Sequence, residues 1–561
     1  MSKQPHRSEQ AGAIQWDEEF DIVVVGFGAA GACAAIEAAD QGARVLVIDR
    51  FSGGGATIRS GGVIYAGGGS GAQRAAGFKD TPAIMFDYLE QETGDSVDKN
   101  VLRAFCETSA GTIAWLGTLG VRIPETFYPR KTTQPPGGYG LYFSGNEKHY
   151  SGIEPFPRGH VPEGTGMSGG SLFRALKRNA LERNVTVRTR CRSGRLILNS
   201  GTVEGIQVLT LSGRAPVRWI HAALFNLGMI GGIFRKMISL LERVFSRSSL
   251  IRARGGVIIS AGGFVYNRSL TREYAPAYAG CMPLGTPGDD GSGILLGSRG
   301  GGALASMDSC AASRFFCPPE AFVSGLLVNM RGERFCDESL YGATLSRHIS
   351  AQPEGRAYLI VDEKLHQRAG LQMKDEQRLR DVPIAHLLSG EMNALIFRKA
   401  MAFVNRRINR VRADTVSGLE KICGLPPGSL AATIAAHNRR CEEGAADVFG
   451  KAASRMEKID GPPYYAINCR LDSRLFPSPC LTLGGLKVDG GTSQVLRGDG
   501  SPIPGLYAAG RSAAGVCSRS YVSGLSLADC IFSGRNAGRH AAERAGSESS
   551  TTLTGAAHGT L

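Results

Sequence analysis

The chain predicts an α/β protein of two domains, the larger one Rossmann-like, and three observations carry that prediction. Residues Asp21 to Val25 form an apolar, β-branched run that leads directly into Gly26-Phe27-Gly28-Ala29-Ala30-Gly31. An alanine-rich helical stretch, Ala32 to Ala39, follows, and Arg44 to Ile48 then reads as a second apolar strand ending in Asp49. The total of 561 residues is too many for one compact core. The strand–turn–helix–strand unit suits a dinucleotide, and each part has a physical reason. Gly26 permits the tight turn, Gly28 lets the backbone approach a pyrophosphate, and Gly31 lets the helix pack close to the strand. The helix N-terminus, with Ala29 and Ala30 in its first turn, faces phosphate charge, and Asp49 can accept hydrogen bonds from a ribose.

The next segment narrows the choice of dinucleotide. Asp49-Arg50 is followed almost at once by Gly53-Gly54-Gly55-Ala56-Thr57-Ile58-Arg59-Ser60-Gly61-Gly62. A nicotinamide domain would continue there into another helix–strand repeat. A glycine- and hydroxyl-rich loop instead implies backbone lying along a long, flat cofactor. Residues 17–275 read as the first part of this domain, 276–472 as an inserted α+β capping domain, and 473–542 as the return to the first. Within the capping domain Arg356 to Asp362 is a strand ending in an acid, and amphipathic patterns run from Ile384 to Val404 and from Leu430 to Cys441. Ile503 to Gly510 reads as a short strand ending in glycine, and Leu527 to Gly538 as a helix. The Ser/Thr/Gly-rich end, residues 543–561, is expected to be disordered.

One segment interrupts this pattern, at about 212–253. Trp219 to Phe234 and Met237 to Leu241 are apolar, and Arg214, Arg218, Arg235, Lys236, Arg243, Arg247, Arg252 and Arg254 surround them. The first apolar run is shorter than the ~20 residues that span a bilayer. An interfacial helical hairpin fits better, its apolar side in the acyl boundary and its arginines on anionic headgroups. The alternatives are an extra buried helix or an oligomer contact. His221 is expected on this surface, not as a ligand.

Charge and cysteines exclude other classes. The formal net charge is +14, but no nucleic-acid fold or basic–aromatic stripe accompanies it, so nucleic acid is not an expected partner. Thirteen scattered cysteines without a C-x-x-C pair argue against a metal site and a disulfide framework, and for a reducing compartment. Met1 to Trp16 is polar and has no apolar signal region. The expected location is therefore the cytoplasm, at the inner face of the membrane. Gly166 to Gly170 has the spacing of a hydrolase elbow, yet Val161 to Thr165 does not read as the strand such an elbow needs.

Five further segments carry a resemblance: Gly255 to Phe264, Gly288 to Gly293, Thr482 to Asp489, Ile503 to Gly510 and Leu527 to Gly538. With the first motif, they make the chain similar to the flavoprotein family of fumarate reductases, flavocytochromes and 3-ketosteroid dehydrogenases. The resemblance implies FAD, usually held without a covalent link, and a substrate enclosed between flavin and capping domains. The residues it implies for FAD are Gly26, Gly28, Ala29, Ala30, Gly31, Asp49 and Arg50 in the first unit, and Gly54, Gly55, Ala56, Thr57, Ser60, Gly61 and Gly62 in the loop. Ala261, Gly262, Asp290, Gly510, Arg511, Ser526 and Leu527 complete the set. A glutamate often stands at the place of Arg511.

The stretch Ser518-Arg519-Ser520-Tyr521-Val522-Ser523-Gly524 sorts the reactions. Fumarate reductases carry R-L-G-G-N here, and their acid-donating arginine falls on Tyr521. Dicarboxylate reduction is thereby disfavoured. The S-Y-x-S-G pattern resembles the 3-ketosteroid Δ4-(5α)-dehydrogenases more than the Δ1 enzymes, which typically read Y-P-G-P-G. The resemblance implies Tyr521 as base, Ser523 and Tyr341 as hydroxyls that stabilise its anion, and the Gly524 N–H as donor to the ketone oxygen. Tyr65 and Tyr142 would line the substrate cleft. A quinone is a fitting acceptor, since it and the steroid both partition into membranes. A Δ1-dehydrogenase, a family reductase and a non-catalytic membrane flavoprotein remain as alternatives.

Overall fold

The structure is a computed structural model. It describes residues 14–557 apart from 131, 165–166, 214, 315, 318, 376–399, 401 and 474–476. The larger domain is built on an eight-stranded sheet. Its strands are β1 (Glu18–Val25), β2 (Val45–Asp49), β3 (Thr186–Thr189), β4 (Cys191–Asn199), β5 (Thr202–Leu211), β6 (Ser246–Ile259), β7 (Gln494–Leu496) and β8 (Pro502–Ala508). The order across the sheet is β7-β8-β6-β1-β2-β3, with β5 added antiparallel to β6 and β4 beside β5. The run β8-β6-β1-β2-β3 is parallel. Such strands are covered on both faces, which is why they read as unbroken apolar runs instead of alternating ones.

The two faces hold separate cores. Ile22 and Val24 face α1 (Ala29–Asp40) and the last helix, whereas Val23, Val25, Leu46 and Ile48 pack with Val208, Leu296 and Leu486. Helix approach is set by glycine. A Cβ on Gly534 or Gly538 would come within 2.4 Å of the Ala30 carbonyl oxygen or 2.3 Å of that of Ala34. The stretch Phe532 to Gly538, with its two glycines, is thus a close helix–helix contact.

The capping domain holds its own core around an antiparallel sheet, in the order Leu326–Asn329, Ala357–Asp362, Tyr464–Asn468, Arg410–Ala413. Leu327, Ile360, Leu419 and Leu430 lie at its centre. The chain leaves and returns side by side, because Met282–Pro283 pairs in parallel with Pro479–Thr482. The Leu430 to Cys441 pattern falls within helix Ser429–Glu443. The Ile384 to Val404 pattern lies largely outside the described residues.

Between β5 and β6 stands a helical hairpin, α2 (Ala215–Gly228) and α3 (Gly232–Phe245). Leu211 and Ser246 are register partners at its base. Ile230 in the turn and Ile233, Met237, Leu240 and Val244 on α3 are all exposed, and the spacing of the last four puts them on one face of the helix. Neither helix, nor any other among the described residues, is long and apolar enough to cross a membrane. The other side docks on the sheet. Arg50 pairs with Glu242 at 2.8 Å and with Asp290 at 2.6 Å, and the His221 Nε2 lies 3.1 Å from Glu242. The Phe51 ring stacks on His221 and packs on Phe225.

Three expectations need correction. His221 is buried in this docking contact, not on the surface. The strand after the hairpin starts at Ser246, so Arg252 and Arg254 belong to β6 and pair with Glu19; strand pairing with β1 and β5 recruits them. The last helix, α4 (Leu525–Ala557), continues through most of the tail expected to be disordered. Ala541, Ala542, Glu543, Arg544 and Ala545 are good helix formers, and the Ala541 carbonyl lies close above Gly255.

Burial raises the Glu242 carboxyl, but hydrogen bonds from His221 and Arg50 outweigh it and hold it below the ordinary value. A carboxyl depressed in this way contributes stability above its unfolded pKa of ~4.3 and loses it as pH falls through the folded value. Glu242→Gln should therefore cost on the order of 2 kcal/mol at neutral pH. It should also flatten the acid limb of the unfolding curve, measured by urea midpoints from pH 3 to 7.

Candidate active site

The parallel register lines up Ile48, Val25, Ile259 and Ala508 in one row. The chain beyond that row opens into a cavity of about 790 Å³, at the large end of small-molecule sites. Gly26, Gly28, Ala29, Ala30, Asp49, Ala261 and Gly262 line it at the strand ends, and Gly55, Ala56, Thr57, Ser60, Gly61 and Gly62 line it from the loop. Arg511, Ser526 and Leu527 close the far side. Gly26 has φ +105°, and a Cβ there would sit 2.5 Å from the Ser260 carbonyl oxygen. Only glycine makes that turn. Helix α1 starts at Ala29 with no side-chain cap at Gly28, so its first N–H groups face the cavity. The Ala29 N–H meets Thr57 Oγ1 at 3.0 Å. Asp49 also organises the turn, accepting from the Phe27 N–H at 2.9 Å and the Phe51 N–H at 2.8 Å.

Five residues expected at the cofactor do not line this cavity. Gly31 and Gly54 support it from behind, where a Cβ would strike the Gly26 carbonyl or Ile58. Gly510 has φ +58° and packs on Ala30 and Cys530. Arg50 and Asp290 pair with each other in the hairpin contact. The neighbouring Asp289 lines the cavity instead. It pairs with Arg511 at 2.6 Å and accepts from the Gly263 and Thr286 N–H groups at 3.2 and 2.8 Å. The Asp289-Asp290 doublet was visible in the sequence, but only packing tells its two members apart. The Asp289 carboxylate keeps Arg511 cationic against the cost of its burial. Arg511 Nη1 is buried without a hydrogen-bond partner among the described residues. An open helix N-terminus, a glycine cradle and an unspent cationic donor around one cavity fit FAD.

The candidate catalytic groups converge at one end. Tyr521, Ser523, Gly524 and Tyr341 all line the cavity, and the Tyr341 and Tyr521 ring centroids are 6.3 Å apart. The loop Gly140 to Glu147 holds them in place. Asn146 Oδ1 accepts from the Tyr341 N–H at 2.6 Å, and Ser144 Oγ donates to the Ser523 carbonyl at 3.0 Å. Gly524 has φ +94°, its carbonyl accepts from the Tyr65 N–H at 3.1 Å, and a Cβ there would approach that nitrogen to 2.7 Å.

Burial pushes Tyr521 up to about 12, although the Gly524 N–H beside its hydroxyl and the Arg511 charge oppose the rise. Burial also drives Tyr341 far above the ordinary tyrosine range, with Ser523 bonded to it. Both phenols are therefore neutral at rest. Ser523 engages Tyr341, and the Tyr142 hydroxyl lies 3.4 Å from its Oγ. The Gly524 N–H thus lies beside the Tyr521 hydroxyl, and Ser523 beside that of Tyr341. Tyr142 stands one layer behind the wall. Tyr65 does not reach the cavity; its ring is fully buried beside Tyr88. Val63, just before the strand Ile64–Tyr65, takes the lining position. The lining also includes an apolar set, Leu481, Met229, Ile230, Met282 and Leu284, beside polar Arg59, Thr133, Gln134 and Thr286. No local motif marks these residues, because chain segments far apart bring them together.

The model of the FAD binding domain family matches residues 21–524. The chain is 34% identical over 518 residues to the 3-oxo-5-alpha-steroid 4-dehydrogenase of Comamonas testosteroni, covering 89% of this chain and 94% of that protein. It is 27% identical to the 3-oxosteroid 1-dehydrogenase of Mycobacterium tuberculosis, over 94% of this chain and 99% of that protein. Among solved structures it matches the 3-ketosteroid-Δ4-(5α)-dehydrogenase of Rhodococcus jostii RHA1 in complex with 4-androstene-3,17-dione. That match has a TM-score of 0.77 and 32% identity, and covers 94% of this chain and 98% of the other. The chain belongs to the FAD binding domain family and is an FAD-dependent flavoprotein oxidoreductase, with steroid dehydrogenases and fumarate reductases among its relatives.

Proposed function

We propose that this flavoprotein is a 3-ketosteroid dehydrogenase of the Δ4-(5α) type. The observation that carries the proposal is the convergence of Tyr521, Ser523 and Tyr341 from two domains on the cofactor cavity. Relatives that act on 3-oxosteroids over nearly the whole chain support it. In place of a fumarate reductase's arginine stands a neutral phenol, and apolar Leu481, Met282 and Leu284 line the same cavity, which favours an uncharged, flat substrate.

The 3-keto group acidifies the hydrogens on C4. Tyr521 takes the C4 proton, and the Gly524 N–H and the Arg511 charge favour the phenolate as the proton is transferred. The Ser523–Tyr341 pair offers one hydroxyl hydrogen to the C3 oxygen, where negative charge develops, and the bond between the two hydroxyls polarises that donor. Bound FAD supplies the hydride acceptor for C5. Loss of a proton from C4 and a hydride from C5 leaves the C4–C5 double bond. The two electrons pass on to an acceptor, for which a lipid quinone has the right carrying capacity.

The hairpin supports a second part of the proposal, peripheral attachment to the cytoplasmic face of a membrane. Its apolar stripe is exposed, and Arg218, Lys236 and Arg243 stand on the same two helices. That combination binds anionic interfaces.

Anaerobic mixing with 5α-androstane-3,17-dione should bleach the flavin and give the 4-ene; a 1-ene product would reassign the regiochemistry. Tyr521→Phe should retain FAD yet slow flavin reduction by about 100-fold or more. With its pKa near 12, the reactive phenolate fraction grows tenfold per pH unit below that value. The wild-type reduction rate should therefore climb without a plateau from pH 7 to 10, and the Phe variant should lose the slope. Replacing residues 212–245 by an Asn-Gly turn, which preserves the Leu211–Ser246 pairing, should move the protein from the membrane fraction to the supernatant.

A further inference from the structure

We infer that the active-site cavity opens onto the lipid leaflet itself, so that the substrate passes from the bilayer into the site without crossing water. The inference rests on the steroid and membrane readings above. It is carried by continuity between two features that have separate origins in the chain. The exposed stripe on α3 does not stop at the helix. It runs back from Val244, Leu240, Met237 and Ile233 to Ile230, in the turn between the two helices. Ile230 is 87% exposed and at the same time lines the active-site cavity, as does its neighbour Met229. The outer surface of the hairpin and the inner wall of the cavity therefore meet at one residue.

A second stretch of the lining has the same character. Met282 and Leu284, on the crossing strand toward the capping domain, are 41% and 45% exposed and line the cavity. Met167, ahead of helix Gly169–Glu182, adds a third exposed apolar lining residue. The end of α2 lies near the chain that follows the crossing strand: a Cβ on Gly228 would come within 3.3 Å of the Pro287 ring. A mouth that opened to water would gain nothing from a collar of Met, Ile and Leu, because each exposed apolar side chain there is unfavourably hydrated. A collar at the level of the acyl boundary buries those side chains in lipid. The hairpin is also fixed relative to the mouth. The Arg50–Glu242–His221 contact ties it to the corner after β2, and the Arg235 guanidinium lies 5.4 Å over the ring of Tyr266, itself a lining residue. Docking the stripe on a leaflet thus sets where the mouth points. The occupant that fits is a leaflet with anionic headgroups, since Arg218, Lys236 and Arg243 accompany the stripe on the hairpin.

The test compares two ways of presenting the same steroid to the holoenzyme. In the first, the enzyme is bound to phosphatidylglycerol-containing vesicles that already carry 5α-androstane-3,17-dione. In the second, the enzyme sits on empty vesicles and the steroid arrives on separate ones. Flavin bleaching is followed under anaerobic conditions. Entry through lipid predicts that the first arrangement is at least tenfold faster. Met282→Asp with Leu284→Asp, off the hairpin, should still sediment with vesicles but lose that advantage. Equal rates in both arrangements, with the enzyme sedimenting normally, overturn the lipid entry while leaving the attachment standing. An enzyme that stays in the supernatant overturns both. If it runs instead as a dimer that Leu240→Glu dissociates, the stripe belongs to a second copy of the chain. Absence of bleaching by steroid added in solution removes the steroid reading on which the inference rests.

Discussion

One constraint organises this protein: the parallel register that sets Ile48, Val25, Ile259 and Ala508 side by side. Parallel strands can be joined only by crossovers, so the segments that follow these four strands all leave the sheet at the same edge. Asp49, Gly26, Ser260 and Ala509 are the first residues past that row. The backbone is tight there, with the Ser260 N–H bonded to the Val25 carbonyl at 2.8 Å and the Gly26 N–H to that of Ile48 at 2.8 Å. A side chain at Gly26 would force β1 and β6 apart and open the edge on which the cofactor lies.

The catalytic end is assembled differently. Its residues come from positions near 140, 340 and 520, and a buried polar network joins them. Asn146 is the junction. Its oxygen holds the Tyr341 backbone, while its nitrogen donates to Glu92 at 2.7 Å and to Thr344 at 2.9 Å. Glu92 in turn accepts from Ser520 at 3.1 Å, one residue before Tyr521. Buried polar groups specify geometry when their partners are satisfied. The same burial that holds these groups raises Tyr521 and Tyr341, so the site rests neutral and suits a neutral ketone. The pairing of Asp289 with Arg511 places one compensated charge nearby without making the cleft a carboxylate trap.

The hairpin shows how a stable fold can carry a large apolar surface. Its inner side is anchored by a buried carboxylate shared between Arg50 and His221, and by aromatic packing on Phe51. Its outer side presents the exposed stripe. Because it grows from adjacent strands paired at Leu211 and Ser246, the insertion leaves the sheet undisturbed.

The dinucleotide unit, its cofactor class and the identity of the hydroxyl pattern around Tyr521 were readable in the sequence. They rest on local chemistry: glycines where backbone must approach, β-branched runs where strands are buried, a phenol where a relative has a guanidinium. The choice between Asp289 and Asp290, the burial of Tyr65 and His221, the true start of β6 and the pairing of Ser523 with Tyr341 were not. Each depends on which face of an element meets a neighbour distant in the chain, and short motifs leave that undetermined. Composition marked residues 212–253 as apolar and basic. Only the tertiary structure placed Ile230 on the hairpin surface and the cavity wall at once, because that coincidence exists only where two folded segments meet.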